Sequence, residues 1–286
     1  MTAPRPLPLE DVTLRRVPVN GVTLNVALAG SGPAVLLLHG FPHTWELWRV
    51  VMAGLADRYT LIAPDLRGLG ASDKPESGYD AATLAEDAEA LLGELGVTSA
   101  AVVGIDAGTP PAFFLALSRP ALVRRLVVME SLLGRLPGAE DFLAGGPPWW
   151  FGFHAVPGLG ETVLEGHEDA YVDWFLSQGT LGEGVPDWAR EAFVRAYTGR
   201  ESLRAAFAHY RALPESAARI AEAVATTRLT VPALALGAHP VGRALEHQLR
   251  GCADDVRGEL VEDSGHIIPL HQPEALLGRL RTFLAE

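Results

Sequence analysis

The 286-residue chain has few cysteines and few basic side chains, and each shortage excludes a class of function. Its single cysteine, Cys252, excludes an internal disulfide and any metal site built from several thiolates. Lys and Arg number 23 against 35 Asp and Glu, which gives a net charge of −12, and the basic residues form no long run. Such a chain is a poor candidate for binding nucleic acid or an anionic membrane surface.

Long apolar stretches are also missing, since no segment approaches the roughly 18 residues of a membrane-spanning helix. The N-terminal segment 1–8 (MTAPRPLP) has no apolar core of a signal peptide and is expected to be a short mobile arm. We therefore expect a cytoplasmic protein without a nucleic-acid or membrane partner. The composition leaves a homodimer open as an assembly.

Strand and helix patterns alternate over most of the chain. The apolar runs 12–19 and 22–29 flank Asn20-Gly21, a strong hairpin signal. Further strands are predicted at 34–38, 59–64, 100–105, 123–129, 232–236 and 258–261, and helices at 44–55, 81–95, 110–117 and 273–284. A hairpin followed by this alternation predicts an α/β protein with a mostly parallel, eight-stranded sheet.

The alternation is interrupted between about 133 and 223, where no strand pattern is visible. Four of the six tryptophans fall in this stretch, together with several helical patterns. We interpret it as a helical cap inserted into a core formed by residues 1–132 and 224–286. The density of aromatic residues favours a cap that covers a ligand pocket, since such pockets are rich in aromatic side chains. Core packing explains single tryptophans equally well.

The sequence Gly104–Gly108 (GIDAG) directly follows the apolar strand 100–103. Glycines on both sides allow a sharp turn that lifts the central side chain above the end of a sheet. The central residue is Asp106, and a carboxylate there can attack a saturated carbon and form an ester that water must then cleave. A surface turn with an Asp between glycines is the alternative reading.

Three further loops follow predicted strands. Residues 39–42 (HGFP) follow the third strand, and hydrolases with this type of turn use one amide of that loop and the amide after the nucleophile as an oxyanion hole. That rule assigns the amides of Phe41 and Ala107. The glycine-rich turn 65–73 (DLRGLGASD) is given a structural role, and His266 after the last strand is the candidate general base, with His271 as a weaker competitor.

These motifs resemble the α/β-hydrolase family, and within it the branch of epoxide hydrolases and haloacetate dehalogenases. The resemblance covers nearly the whole chain and rests on segments 39–42, 65–73, 104–108 and 265–266. It implies that Asp106 is the nucleophile and His266 the base. Many relatives place the triad acid after the strand that follows the cap, but segment 235–242 has no carboxylate. The other family position, the end of the strand before the cap, holds Glu130, which we expect to orient His266.

The resemblance also implies hydrogen-bond donors in the cap. Dehalogenases of this branch carry a His-Trp pair early in the cap and a tyrosine late in it. Those positions correspond to Trp149, Trp150 and Tyr210, so a tryptophan replaces the histidine. The arginines that hold a substrate carboxylate are replaced by Ala107 and Pro110. Indole N–H and phenol O–H groups suit the oxygen of an opening epoxide, although the three aromatics could also be cap core.

The resemblance therefore implies an epoxide hydrolase that needs no metal or organic cofactor. Its partners would be water and a bulky hydrophobic or polycyclic substrate, as in enzymes that tailor aromatic polyketides during antibiotic biosynthesis. Two alternatives stay open at this point. One is haloalkane or haloacid dehalogenation, which uses the same nucleophile and histidine. The other is a catalytically silent binding protein built on the same scaffold.

Overall fold

The computed structural model describes residues 5–286, so the first four residues of the predicted N-terminal arm lie outside the described part. Eight strands form one sheet in the order β1-β2-β4-β3-β5-β6-β7-β8. Their bounds are β1 Thr13–Val19, β2 Val22–Ala29, β3 Ala34–Leu38, β4 Thr60–Pro64, β5 Ala100–Ile105, β6 Val123–Met129, β7 Ala233–Gly237 and β8 Val256–Leu260. The predicted mostly parallel, eight-stranded sheet is confirmed.

The sheet is antiparallel only where β2 pairs with β1 and β4, and all other pairs are parallel. The central strands β3 and β5 are buried along their whole length, which explains their continuous apolar sequence. Because parallel strands end at the same edge, the loops after β3, β5, β6, β7 and β8 meet there. Ligand sites of open α/β sheets lie at that edge.

Six helices accompany the strands of the core. Their bounds are α1 Arg49–Leu55, α2 Ala81–Glu94, α3 Thr109–Ser118, α11 Ala244–Cys252, α12 Ile268–His271 and α13 Pro273–Ala285. The predicted helix at 44–55 is a 3-10 turn over Trp45–Trp48 followed by α1. The patterns did not predict α11, which has a buried face against β7 and β8.

The chain between β6 and β7 contains seven helices and no strand. Their bounds are α4 Glu140–Leu143, α5 Trp149–Ala155, α6 Leu159–Leu164, α7 Glu168–Gln178, α8 Asp187–Tyr197, α9 Arg200–Arg211 and α10 Leu213–Thr226. We call segment 140–226 the helical insertion. No helix within residues 5–286 is long and apolar enough to cross a membrane.

The glycine-rich turn after β4 is fixed by the buried carboxylate of Asp65. Its two oxygens accept hydrogen bonds from the amides of Trp45 (2.8 Å) and Ala71 (2.9 Å) and from the Asn25 side chain (2.9 Å). Gly70 has a positive φ of 53°, and a Cβ there would clash with the Asp65 carboxylate. These contacts tie the turn to β2 and to the loop after β3, which carries Phe41.

Candidate active site

Asp106 lies on a sharp turn between β5 and α3. Its φ of 52° is in the left-handed region, which is uncommon for a residue with a Cβ. The turn is tight because neighbouring backbones approach it closely: a Cβ on Gly40 would clash with the Asp106 side chain, and a Cβ on Gly108 with the carbonyls of Leu38 and His39. The glycine requirement therefore arises from packing between the loops after β3 and β5.

The Asp106 carboxylate is held by two backbone amides and one imidazole. Phe41 N donates to Oδ1 at 2.7 Å, and the Ala107 amide also donates to the carboxylate. His266 Nε2 lies 3.4 Å from Oδ2. Burial alone would raise the pKa of Asp106, but the hydrogen bond and charge of His266 and the two amides hold it below its usual range. Asp106 is therefore ionised at neutral pH.

Glu130 follows β6 directly and, like Asp106, has a positive φ, here 44°. Glu130 is only 1% exposed. Oε1 accepts the amide of Ala238 at 2.6 Å, at the end of β7, and Oε2 lies 3.2 Å from Nδ1 of His266. A buried carboxylate is retained where such partners replace water. Glu130 therefore connects the ends of β6 and β7 to the histidine.

His266 bridges the two carboxylates, with one ring nitrogen toward each. Burial disfavours the imidazolium, yet the hydrogen bonds and charges of Asp106 and Glu130 outweigh it and raise the pKa of His266 to about 10. His266 is therefore protonated at neutral pH, between the side chains of Asp106 and Glu130. His271 is occupied elsewhere, since its Nδ1 accepts the Gly265 amide at 2.8 Å and its Nε2 lies 3.4 Å from Glu183.

Aromatic rings of the helical insertion surround the Phe41 side chain. The rings whose centroids lie 5.1–6.4 Å from that of Phe41 are those of His154, Phe175, Tyr197, Phe207 and Tyr210. Since the Phe41 amide donates to Asp106 at 2.7 Å, these rings are connected to the carboxylate through a single residue. The Asp106 side chain, which is 24% exposed, therefore lies near an aromatic cluster.

The three tyrosines of this region differ in how their hydroxyls are used. Tyr197 donates to His43 O at 2.9 Å, and the Tyr171 hydroxyl lies 2.6 Å from His154 Nε2. The Tyr210 ring lies 4.2 Å from that of His154 and 5.7 Å from that of Phe41. Burial and the charge of Asp106 raise the pKa of Tyr210 well above its usual value, so it remains a protonated donor.

The two tryptophans of the predicted pair are adjacent on α5 but have different surroundings. Trp149 is 55% exposed, and its ring contacts Trp150, Phe153, Tyr171 and Trp174. None of these rings contacts Phe41, so Trp149 lies at the outer edge of the aromatic cluster. Neighbouring residues of a helix point about 100° apart, because a turn contains about 3.6 residues. Trp150 does not contact Phe41 either, but its ring lies 5.4 Å from that of Phe175, which contacts Phe41 at 5.1 Å.

Sequence reasoning used Phe41 only for its amide and missed the role of its ring as the centre of the aromatic cluster. It also missed Tyr197, which ties α8 to the loop after β3, and His43, which is buried beside that loop. The position of His43 immediately after segment 39–42 was the available signal. The contacts of Tyr197 depend on how α8 docks, which has no local signature.

A second, open cleft of about 810 Å³ lies beside α9 and is separate from this site. Its lining includes Tyr79, Glu161, Arg204 and Arg211 but not Asp106. The two arginines are already paired, Arg204 with the backbone carbonyl of Lys74 at 2.6 Å and Arg211 with Glu161 at 2.6 Å. The site at the strand ends is therefore the candidate active site.

Comparisons with known proteins agree with this fold. The profile of the alpha/beta hydrolase fold family matches residues 33–159. The soluble epoxide hydrolase of Corynebacterium sp. (strain C12) is 30% identical over 96% of this chain and 98% of its own length. The fluoroacetate dehalogenase of Burkholderia sp. is 40% identical over 71% of this chain and 70% of its own.

Among solved structures, Cfl2 from Burkholderia cenocepacia superimposes with a TM-score of 0.85 and 34% identity, covering 96% of both chains. The chain belongs to the α/β-hydrolase family, in the branch that includes epoxide hydrolases and fluoroacetate dehalogenases. It is accordingly a hydrolase by family.

Proposed function

We propose that the protein is an epoxide hydrolase that converts an epoxide to a vicinal diol through an ester on Asp106. The observation that carries the proposal is the arrangement of Asp106, His266 and the buried Glu130, in which one imidazole lies between the two acidic side chains and the Tyr210 ring packs 5.7 Å from that of Phe41. A relative named soluble epoxide hydrolase, aligned over nearly the full chain, supports it.

In the first half-reaction, an Asp106 oxygen attacks an epoxide carbon and the carbon–oxygen bond of the ring breaks. The freed oxygen takes a proton from Tyr210. As the ester forms, Asp106 loses the charge that helped to keep His266 protonated. The pKa of His266 falls, its proton replaces the one given by Tyr210, and a neutral imidazole remains.

In the second half-reaction, neutral His266, oriented by Glu130, removes a proton from water. The hydroxide oxygen attacks the ester carbonyl carbon, and the Phe41 and Ala107 amides stabilise the oxyanion that forms. Both amides already contact the Asp106 carboxylate, which suits this role. Collapse releases the diol oxygen, which takes the proton from His266. The Asp106 acid then gives its proton to His266, and the resting ion pair returns.

The surroundings of Asp106 favour a neutral and hydrophobic substrate. The groups that most lower the pKa of Asp106 are His266 and two amides, and none is an arginine. Ala107 and Pro110 cannot hold a substrate carboxylate. The aromatic rings around Phe41 suit a bulky hydrophobic or polycyclic epoxide. We propose that the substrate is a natural product of the aromatic polyketide type. We also propose that the enzyme is cytoplasmic.

Dehalogenation is the second candidate, because the fluoroacetate dehalogenase of Burkholderia sp. is 40% identical over much of the chain. Incubation with styrene oxide and, separately, with fluoroacetate distinguishes the two reactions. We expect diol from the epoxide and no fluoride from the acid. Fluoride without diol would make the protein a dehalogenase, and absence of both products and of any protein adduct would favour the silent binding protein.

The Tyr210→Phe substitution is expected to slow ester formation by roughly 10²-fold, since it removes one donor to the developing negative charge. Ester hydrolysis should change little, because that charge has already been neutralised. Trp150→Phe should act in the same direction. The measurement is the single-turnover rate of adduct formation with styrene oxide.

The matched control is Trp149→Phe, which changes a neighbouring indole that is half exposed and contacts no ring that touches Phe41. We expect it to form the adduct at the wild-type rate. If Tyr210→Phe and Trp150→Phe also formed it at that rate, both residues would be packing residues of the helical insertion.

A further inference from the structure

His43 is a buried histidine whose ring has no protein partner. His43 is 0% exposed, and within residues 5–286 neither its Nδ1 nor its Nε2 makes a hydrogen bond. Every imidazole carries at least one N–H donor, and a neutral one also has an acceptor. Leaving such atoms unpaired in a protein interior is costly, and folded proteins rarely do so without a water or a functional reason. Trp48 Nε1 is unpaired in the same way.

The other histidine of the loop provides the contrast. His39 is equally buried, but its Nδ1 lies 2.9 Å from Gly40 O and its Nε2 accepts the Leu66 amide at 3.2 Å. Both nitrogens are used within the fold, so His39 is a structural residue. Two buried histidines of one loop therefore differ: both ring nitrogens of His39 have hydrogen-bond partners, and neither ring nitrogen of His43 has one.

The loop holds His43 close to the reacting groups. Its amide donates to Gly40 O at 3.0 Å, and Gly40 packs directly on the Asp106 side chain. Two residues of α8 fix it from the other side: Tyr197 donates to its carbonyl at 2.9 Å, and the Phe193 ring lies 5.1 Å from the imidazole.

Charges in the site act on this ring. Burial lowers the pKa of His43 to about 3, while the charges of Asp106 and His266 act on it in opposite directions. The ring is therefore neutral at ordinary pH and has one acceptor nitrogen and one donor nitrogen. A water molecule can use both kinds of atom, and a polar buried position with several such groups is where ordered water is found.

We propose that His43 positions the water that hydrolyses the Asp106 ester, an inference that rests on the proposed function. One hydrogen of the water is taken by His266, and the other is donated to the unprotonated nitrogen of His43 and stays on the attacking oxygen. The lone pair released by the first transfer forms the bond to the ester carbonyl carbon. His43 gains and loses no proton and acts by fixing the direction of attack.

The test separates the two half-reactions in His43→Leu and His43→Gln with styrene oxide under single-turnover conditions. Misdirecting a reactant typically costs about 10² in rate. We therefore expect His43→Leu to form the ester within about threefold of the wild-type rate and to hydrolyse it about 10²-fold more slowly, so that adduct accumulates in intact-mass spectra. His43→Gln keeps an acceptor and a donor and should recover most of the hydrolysis rate.

The outcomes are distinct. Equal slowing of both steps in His43→Leu, with no recovery in His43→Gln, would mean that His43 has a structural role. Unchanged hydrolysis in His43→Leu would mean that His43 has no role. Either result would overturn this inference and leave the proposed function standing. No diol from the wild type, together with no adduct in His266→Ala, would overturn the proposed function as well. Should His43→Leu not fold, a wild-type crystal structure decides: a water within about 3.2 Å of a His43 nitrogen and of His266 is expected, and its absence overturns the inference.

Discussion

Asp106→Asn is expected to lose roughly 10⁴–10⁶-fold in turnover, the range seen when a nucleophile or its partner is removed from a catalytic triad. An amide oxygen is a far weaker nucleophile at carbon than a carboxylate. The substitution keeps the size of the side chain and one oxygen for the Phe41 amide, so the fold should survive. Steady-state diol formation and thermal unfolding are the two measurements. Full activity in freshly purified protein, with deamidation excluded by mass, would contradict the assignment.

An isotope experiment on the wild type tests the same residue without substitution. With enzyme in excess over epoxide in H₂¹⁸O, the first turnover should give unlabelled diol, because its new oxygen comes from Asp106. The label should enter the Asp106 carboxylate, because water attacks the ester carbonyl carbon. Label found directly in the diol during the first turnover would indicate attack of water on the epoxide itself.

His266→Ala is expected to accumulate the ester on Asp106, because the base for the second half-reaction is gone. General bases contribute about 10²–10⁴ in rate, and hydrolysis should slow by that amount. Ester formation should continue, since Asp106 retains the Phe41 and Ala107 amides. Intact-mass analysis after incubation with styrene oxide should reveal the enzyme plus one substrate.

Two variants make the adduct interpretable. Asp106→Asn in the same assay should show no adduct, which locates the ester. Glu130→Gln should accumulate less adduct than His266→Ala, because the imidazole remains but loses the charge that orients it and stabilises its protonated form. A proven epoxide substrate that leaves no adduct on His266→Ala would place His266 in the first half-reaction instead.

The resting ion pair explains why one histidine can serve a site with two carboxylates. His266 is protonated between Asp106 and Glu130, with a pKa raised to about 10, and cannot act as a base in that state. In the proposed mechanism, formation of the ester removes one of the two charges that favour the imidazolium. The proposed base would then be generated by the first half-reaction.

The sequence by itself determined the order of the strands and the residues at the strand ends. Asp106 and Glu130 directly follow buried strands, and His266 lies shortly after the last one. Strand ends can be read locally, because apolar runs and the glycines of Gly104–Gly108 have direct conformational meaning. Once the sheet is parallel, its topology brings those ends to one edge, so proximity of these residues follows from sequence and fold class.

Only the tertiary structure decided which side chains of the helical insertion join the aromatic cluster around Phe41. Trp149 and Trp150 are adjacent and chemically identical, yet one is half exposed and the other faces Phe175. Tyr171, Tyr197 and Tyr210 are likewise equivalent in sequence, and only the structure shows that the Tyr171 hydroxyl lies against His154 and the Tyr197 hydroxyl against His43 O. The rotation of a helix about its axis is set by the surfaces it docks on, which come from distant parts of the chain, and no local pattern encodes it.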